Sequence, residues 1–311
     1  MKFIQREELY VRIASDYTTF IHQDKIVLKE PSIVVALNVE KDKYSFAGKD
    51  AYRYESGFKL ISCDEVYIFV AAEYMIRSFW KKIKKGIFAP NIIASCTPLT
   101  AEIELRAMKD CLRSIAHKVT IICEPYAANA FLQKNYNFNS AIFVNIALDT
   151  TRIQVINDNK VIHCREILDG YSEIYDIICK YINEKYCVKI GISVVEFILN
   201  GLSVSEFDYF ARHKDTHLPI KITITKSEIE HLICHTKIHF INETIRKLNE
   251  TLEKWNDVES VFVFGGNESI SEYMKLIAEK IHFGSIVPED CSNVIVKGLK
   301  PAYEDPNTPR L

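Results

Sequence analysis

The 311-residue sequence holds no uninterrupted apolar segment approaching the ~20 residues that a bilayer-crossing helix needs. Its first stretch, MKFIQREELYVRI, carries charges where a secretory signal would have an apolar core. The expected location is therefore the cytoplasm, with attachment to the inner face of the cell membrane as the alternative. Charge of one sign is also lacking: the formal net charge is −2, with acidic and basic residues intermixed. A nucleic-acid partner, which calls for a strongly basic face, is not expected. No CxxC pair occurs among the nine cysteines (Cys63, Cys96, Cys111, Cys123, Cys164, Cys179, Cys187, Cys234 and Cys291). An odd, scattered set, partly inside apolar runs such as VTIIC and IIASC, reads as reduced buried thiols rather than a disulfide framework or a zinc site. No metal site is expected from them. There is no low-complexity segment. What remains, 48% hydrophobic and 26% charged residues, is the composition of a globular chain long enough for two domains.

Two stretches share one plan. The first, from about Leu9, reads LYVRIA, a turn SDYT, TFIH, a turn QDK, IVL and the apolar run SIVVALNV. The second, from about Ser140, reads AIFVNIA, a turn LDT, TRIQVI, a turn NDN and KVIHCREI. Each is a meander of short β-rich runs separated by turn residues. Helices and further apolar strands follow each one: a helix near 71–84, the strand NIIASCTP, the helix TAEIELRAMKDCLRSIA, the strand VTIIC and a short helix at EPYAANAFL in the first half. Ile103, Ala107, Cys111 and Ile115 fall four apart, with Met108 and Leu112 beside them, and predict the buried stripe of its second helix. In the second half, Ile174, Ile177, Ile178, Tyr181 and Ile182 predict another amphipathic helix. Thr225 and Glu228 form a capping box opening a helix of roughly 30 residues whose stripe includes Ile229, Ile233, Phe240, Leu248 and Trp255. The tail PAYEDPNTPRL is expected to be irregular. A repeated meander with αβ units implies two related α/β domains facing each other across a cleft.

Several segments carry a family resemblance. KIVLKEPSIVVAL, PLTAEIELRAM, VTIICEPYAANAF, AIFVNIALDTTRIQVI, ILDGYSEIYDIICKYINEKYCVKIG, LPIKITITKSEIEHLI, VFVFGGNESI and VPEDCSNVIVKGL resemble, in family order, successive segments of the MreB/Mbl bacterial actin-like proteins. The resemblance implies an α/β actin-like fold of two facing ribonuclease-H-like lobes around a nucleotide cleft. The lobes are expected at 1–139 (small subdomain about 38–70) and 140–285 (small subdomain about 184–235), with 286–311 returning to the first. It also implies a filament-forming cytoskeletal protein that guides cell-wall synthesis and cell shape. Its partners would be itself or another bacterial actin, the inner membrane surface and the cell-wall synthesis machinery. An ATPase or kinase of the same superfold, or a non-filament adaptor of pilus or division machinery, are the alternatives.

The cofactor implied is ATP with Mg²⁺, and here the motifs are eroded. Glycines in two β-turns let backbone N–H groups approach phosphates, and an aspartate in each helps hold hydrated Mg²⁺. Where the family reads DLGTAN this chain has IASDYTTF, without glycine: Ala14 stands in the aspartate register, with Ser15 after it and Asp16 two residues late. Where the family reads DIGGGTT it has Asn145, Ile146, Ala147, Leu148, Asp149, Thr150 and Thr151. Asparagine is a weaker magnesium ligand, and Asp149 adds negative charge near phosphates. Glu104 aligns with the glutamate that orients the lytic water; read from the residues alone, it is a solvated acid near a helix N-terminus. On the nucleotide side, Gly170, Glu196, Gly265 and Gly266 match family positions, while Leu199 replaces a lysine. The expectation is weak or absent nucleotide binding with negligible hydrolysis. Finally, SFWKKIKKGIFAPN sets Lys81, Lys82, Lys84 and Lys85 beside Phe79, Trp80, Ile87 and Phe88. Ile87 and Phe88 match the family's membrane-touching loop, and basic residues beside apolar ones suit an interfacial anchor; a solvated lysine face on a helix with inward aromatics is the other reading.

Overall fold

The computed structural model describes residues 6–38, 43–53, 57–59, 61–62, 65–66, 68–83, 88–201, 205–281 and 283–311. Its first lobe begins with the meander β1 (Glu8–Ile13), β2 (Tyr17–His22) and β3 (Lys25–Pro31). A small sheet of β4 (Ile33–Asn38), β5 (Lys43–Ala47) and β6 (Gly57–Lys59) follows, then the short pair β7 (Ile61–Ser62) and β8 (Glu65–Val66). Next come α1 (Phe69–Ile83), β9 (Asn91–Cys96), α2 (Glu102–Arg113), β10 (Lys118–Cys123) and α3 (Glu124–Asn135). The main sheet has the order β10-β9-β1-β2-β3.

The second lobe repeats this plan. Its meander is β11 (Ser140–Ile146), β12 (Thr151–Asn157) and β13 (Lys160–Ile167), followed by α4 (Ser172–Tyr186) and α5 (Ile192–Gly201). A hairpin of β14 (Glu206–Arg212) and β15 (Pro219–Thr225) leads to α6 (Lys226–His235), α7 (His239–Lys254), β16 (Ser260–Gly265), α8 (Ser271–Lys280) and β17 (Ser285–Ile286). This sheet has the order β13-β12-β11-β16-β17. In both sheets three antiparallel strands continue into two parallel ones. The likeness extends to detail. The β2–β3 turn places Gln23 and Asp24 at positive φ, and the β12–β13 turn does the same with Asp158 and Asn159, the backbone that two-residue hairpins favour. Each hairpin also has one register shift, at Phe20/Ile21 and at Val155/Ile156.

Each lobe has its own apolar cluster, and a third is common to both. Tyr10, Ile93 and Ile122 of the first sheet, Phe143, Phe262 and Phe264 of the second, and Ile295 and Leu299 of α9 (Val294–Glu304) belong to it. The chain thus returns after β17 to pack α9 beneath both lobes. No helix among the described residues is long and apolar enough to cross a membrane.

Three sequence expectations change. The helix expected from Thr225 to Trp255 is broken. Thr225 does cap α6, accepting from the Glu228 amide at 3.2 Å, but Thr236 is extended and the helix restarts at His239. The break is stabilised from α4: the Glu173 carboxylate accepts from the His239 and Phe240 amides at 2.8 and 2.9 Å, satisfying donors that a helix start leaves orphaned. Trp255 then sits at the C-cap of α7. The stripe on α2 is shorter than expected, because Ile103 is 74% exposed and the buried residues are Met108, Cys111, Leu112 and, just beyond, Ile115. The tail is ordered: PAYE completes α9, Arg310 bridges to Ile122 on the edge of β10, and the Leu311 amide donates to the Ile121 carbonyl at 3.0 Å.

Candidate functional site

Of the residues that the sequence singles out, Asp16, Asn145 and Glu196 make side-chain contacts between the two lobes. The first turn is tight, with the Ala14 amide donating to the Tyr17 carbonyl at 3.2 Å; Ala14 and Ser15 are buried. Asp16 accepts from the Tyr17 amide on Oδ1 at 2.7 Å and from the Tyr171 hydroxyl, across the cleft, on Oδ2 at 2.7 Å.

The second turn is closed by the Ala147 amide donating to the Thr150 carbonyl at 2.8 Å. Leu148, in the register of a phosphate-loop glycine, belongs to the apolar cluster of the second lobe. The Ala147 and Leu148 carbonyls accept from the Tyr171 and Ser172 amides at 3.1 and 2.9 Å. Gly170 permits that approach, since a Cβ there would lie 2.3 Å from the Ala147 oxygen. Thr151 Oγ1 donates to the Asp169 carbonyl at 2.9 Å, while the Thr150 hydroxyl is buried without a hydrogen-bond partner. Asp149 lies at the tip of the turn, half-buried.

Asn145 is the penultimate residue of β11, beside Phe264 of β16. Its Nδ2 donates to Glu124 Oε2 at 3.3 Å, and its Oδ1 is buried without a partner. A Cβ on Gly265 would come 2.6 Å from that Oδ1, and Gly265 and Gly266 have φ of +109° and +63°. Only glycine takes both the space and the backbone here. Glu196, 6% exposed, accepts from Asn267 Nδ2 at 3.0 Å and from the Tyr17 hydroxyl. Glu104 lies in the first turn of α2, half-exposed.

Beneath the turns is a buried ionic cluster that the sequence reading missed. Arg12 Nε donates to Glu124 Oε1 at 3.0 Å; Arg152 Nε donates to Glu166 at 2.7 Å, with a second guanidinium nitrogen 3.8 Å from Glu124. Arg12 and Glu124 belong to the first lobe, Arg152 and Glu166 to the second, so Glu124 couples the two. Tyr17, Tyr171, Tyr175 and Asn267 were missed as well. The only signal was adjacency: Tyr17 follows Asp16, Tyr171 follows Gly170, and Asn267 follows Gly266.

An opening of about 380 Å³ remains at the mouth of the cleft, lined by residues that include Tyr17, Lys29, Lys49, Glu196, Asn200 and Asn267. Among the described residues, no group of three or more histidine, cysteine or acidic side chains could hold a metal ion.

The family model described as MreB/Mbl protein matches residues 14–310. The chain belongs to the MreB/Mbl family. No curated protein matches its sequence. Among solved structures, this MreB/Mbl-family chain is similar to MreB5 of Spiroplasma citri bound to ADP, with 19% identity, a TM-score of 0.75 and 95% of each chain covered. The AMPPNP complex of that protein gives 17% identity and a TM-score of 0.73, again over 95% of each chain. A MamK double helical filament gives 13% and 0.68, covering 97% of this chain and 99% of that one. At such identities the likeness establishes the fold: two actin-like lobes.

Proposed function

We propose that this MreB/Mbl-family chain is a filament-forming subunit of a cytoskeleton that determines cell shape and guides cell-wall synthesis, and that it binds Mg-ATP weakly and hydrolyses it negligibly. Filament formation is supported by the whole-chain likeness to a MamK filament. The observation that carries the nucleotide reading is Asn145. Where the family places a magnesium-holding carboxylate, this chain has an amide that donates to the buried Glu124. Hydrated Mg²⁺ is usually held through one or two carboxylates together with phosphate oxygens, and the carboxylate of the first turn, Asp16, already accepts one donor on each oxygen. In calorimetric titration, Mg-ATP is expected to give little or no heat of binding. Phosphate release is expected at background for wild type and for Glu104→Ala alike. Turnover like that of an ordinary bacterial actin, abolished by Glu104→Ala, overturns this reading. Electron microscopy of the purified chain, alone and mixed with an ordinary bacterial actin, is expected to show filaments in at least one of the two conditions.

Membrane contact is part of the same proposal. Ile87, Lys84 and Lys85 lie outside the described residues; Phe88 is 55% exposed. Part of the lysine face is engaged by protein: Lys82 pairs with Glu30 at 3.2 Å and with Asp50 at 3.4 Å, and Phe79 is buried in the core. The anchor is therefore assigned to Ile87 and Phe88 rather than to α1. Wild type is expected to co-sediment with anionic liposomes and the Ile87→Ser/Phe88→Ser variant to remain in the supernatant; equal pelleting removes the anchor.

A further inference from the structure

The interlobe contacts at the first turn form one connected network. Asp16, from the β1–β2 turn, and Tyr17, the first residue of β2, belong to the first lobe. Facing them, Tyr171 opens α4, Glu196 lies on α5 and Asn267 follows β16, all in the second lobe. The Tyr171 hydroxyl donates to Asp16 at 2.7 Å and the Tyr17 hydroxyl donates to Glu196. Asn267 Nδ2 then ties the second-lobe members together, lying 2.9 Å from the Tyr175 oxygen, 3.0 Å from Glu196 and 3.5 Å from the Tyr171 oxygen. At the rim, Lys29 of β3 pairs with Glu268 at 3.2 Å and lies over the Tyr17 ring.

Two features make this more than incidental contact. The Tyr171 and Tyr17 phenols each meet a carboxylate, giving charge-assisted bonds, which are roughly twice as strong as neutral ones. The members are also withdrawn from water: Tyr171 is fully buried, and Tyr175, Glu196 and Asn267 nearly so. Burial, followed by the charge of Asp16, pushes the Tyr171 phenol well above its ordinary range. Burial, followed by Glu196, does the same for Tyr17. Both therefore keep the proton that they donate.

We propose that Asp16 and Tyr17 brace the two lobes through Tyr171, Glu196 and Asn267, so that side chains of this protein hold the cleft closed where a bound nucleotide would otherwise do so. The inference rests on the reading of weak nucleotide binding given above. It implies that assembly is governed by protein concentration rather than by a nucleotide cycle, because the brace is made by the chain's own side chains.

Hydrogen–deuterium exchange of the full chain tests the brace, read on the peptides spanning residues 14–18, 168–172 and 265–268. Nucleotide-free wild type is expected to be protected there, with no gain on adding Mg-ATP. Tyr17→Phe/Tyr171→Phe keeps both rings and removes both interlobe donors. It is expected to exchange at least about tenfold faster in those peptides, the effect of losing hydrogen bonds to charged acceptors, while the shared core of α3 and α9 stays protected. The variant is also expected to need a higher protein concentration to polymerise. Exchange in the double variant equal to wild type, or protection of wild type only when Mg-ATP is present, overturns the brace. If the double variant unfolds globally, Tyr17→Phe alone is read by the same criterion. Calorimetry of wild type with Mg-ATP tests the nucleotide reading by itself, so the two ideas fail separately.

Discussion

Arg152→Met is expected to lower the free energy of unfolding by about 3–5 kcal/mol, the cost of removing one partner from a buried ionic cluster. At this chain length that is a fall in Tm of roughly 5–8 °C. Arg152 is 0% exposed and bonds Glu166 directly, and it shares Glu124 with Arg12 and Asn145. Methionine fills much of the same volume, so the loss is electrostatic: two carboxylates keep their charge while one of two guanidinium groups disappears. The second partner decides between this account and plain loss of packing. Glu166→Gln in the Arg152→Met background removes one orphaned charge and is expected to restore part of the stability. A double variant no more stable than Arg152→Met would show that packing dominates. Thermal melts followed by circular dichroism measure both. Because the cluster spans the lobes, the single variant is also expected to broaden the transition.

Gly298→Ala is the second large effect, and here two opposing terms can be weighed. Alanine in a helix interior is favoured over glycine by about 1 kcal/mol. Against that, a Cβ on Gly298 would stand 1.8 Å from the carbonyl oxygen of Ala127. That atom is backbone, fixed within α3, and cannot swing aside. Relief requires α9 to move away from α3 in the core common to both lobes, and overpacking of this kind costs about 1–3 kcal/mol or more. A net loss of about 1–2 kcal/mol is expected in urea unfolding. Gly284→Ala is the control: nothing lies within 4 Å of a Cβ there, and a change within about 0.5 kcal/mol is expected. Equal effects of the two substitutions would refute the steric argument.

Local signals in the sequence carried the meanders far. The QDK and NDN turns mark the two hairpins because consecutive residues at positive φ demand particular side chains, and Asp24, Asp158 and Asn159 supply them. What failed depended on distant residues. The break at Thr236 is unreadable from its own neighbourhood, since the group that caps the restarting helix is Glu173 on another helix. At the cleft, Gly170, Glu196 and Gly265 were singled out through their family positions and Asp16 as the carboxylate nearest the first turn. The tyrosines beside them were not, because a tyrosine next to a turn looks like any strand or helix residue until the other lobe stands opposite. Arg152 is similar: within TRIQVI it reads as an outward polar residue, and only pairing across β11, β12 and β13 places it between Asn145 and Glu166.

The ordered end of the chain has a consequence for how copies could join. A sheet margin with free amides and carbonyls invites an extended segment from a neighbouring molecule to continue it. On the β10 side of the first lobe that invitation is withdrawn, because Arg310 and Leu311 already lie against Ile122 and Ile121, and the Arg310 guanidinium is held over the Tyr303 ring. Any polymer built from this subunit must therefore be sewn together by side-chain faces at that margin rather than by adding a strand to β10.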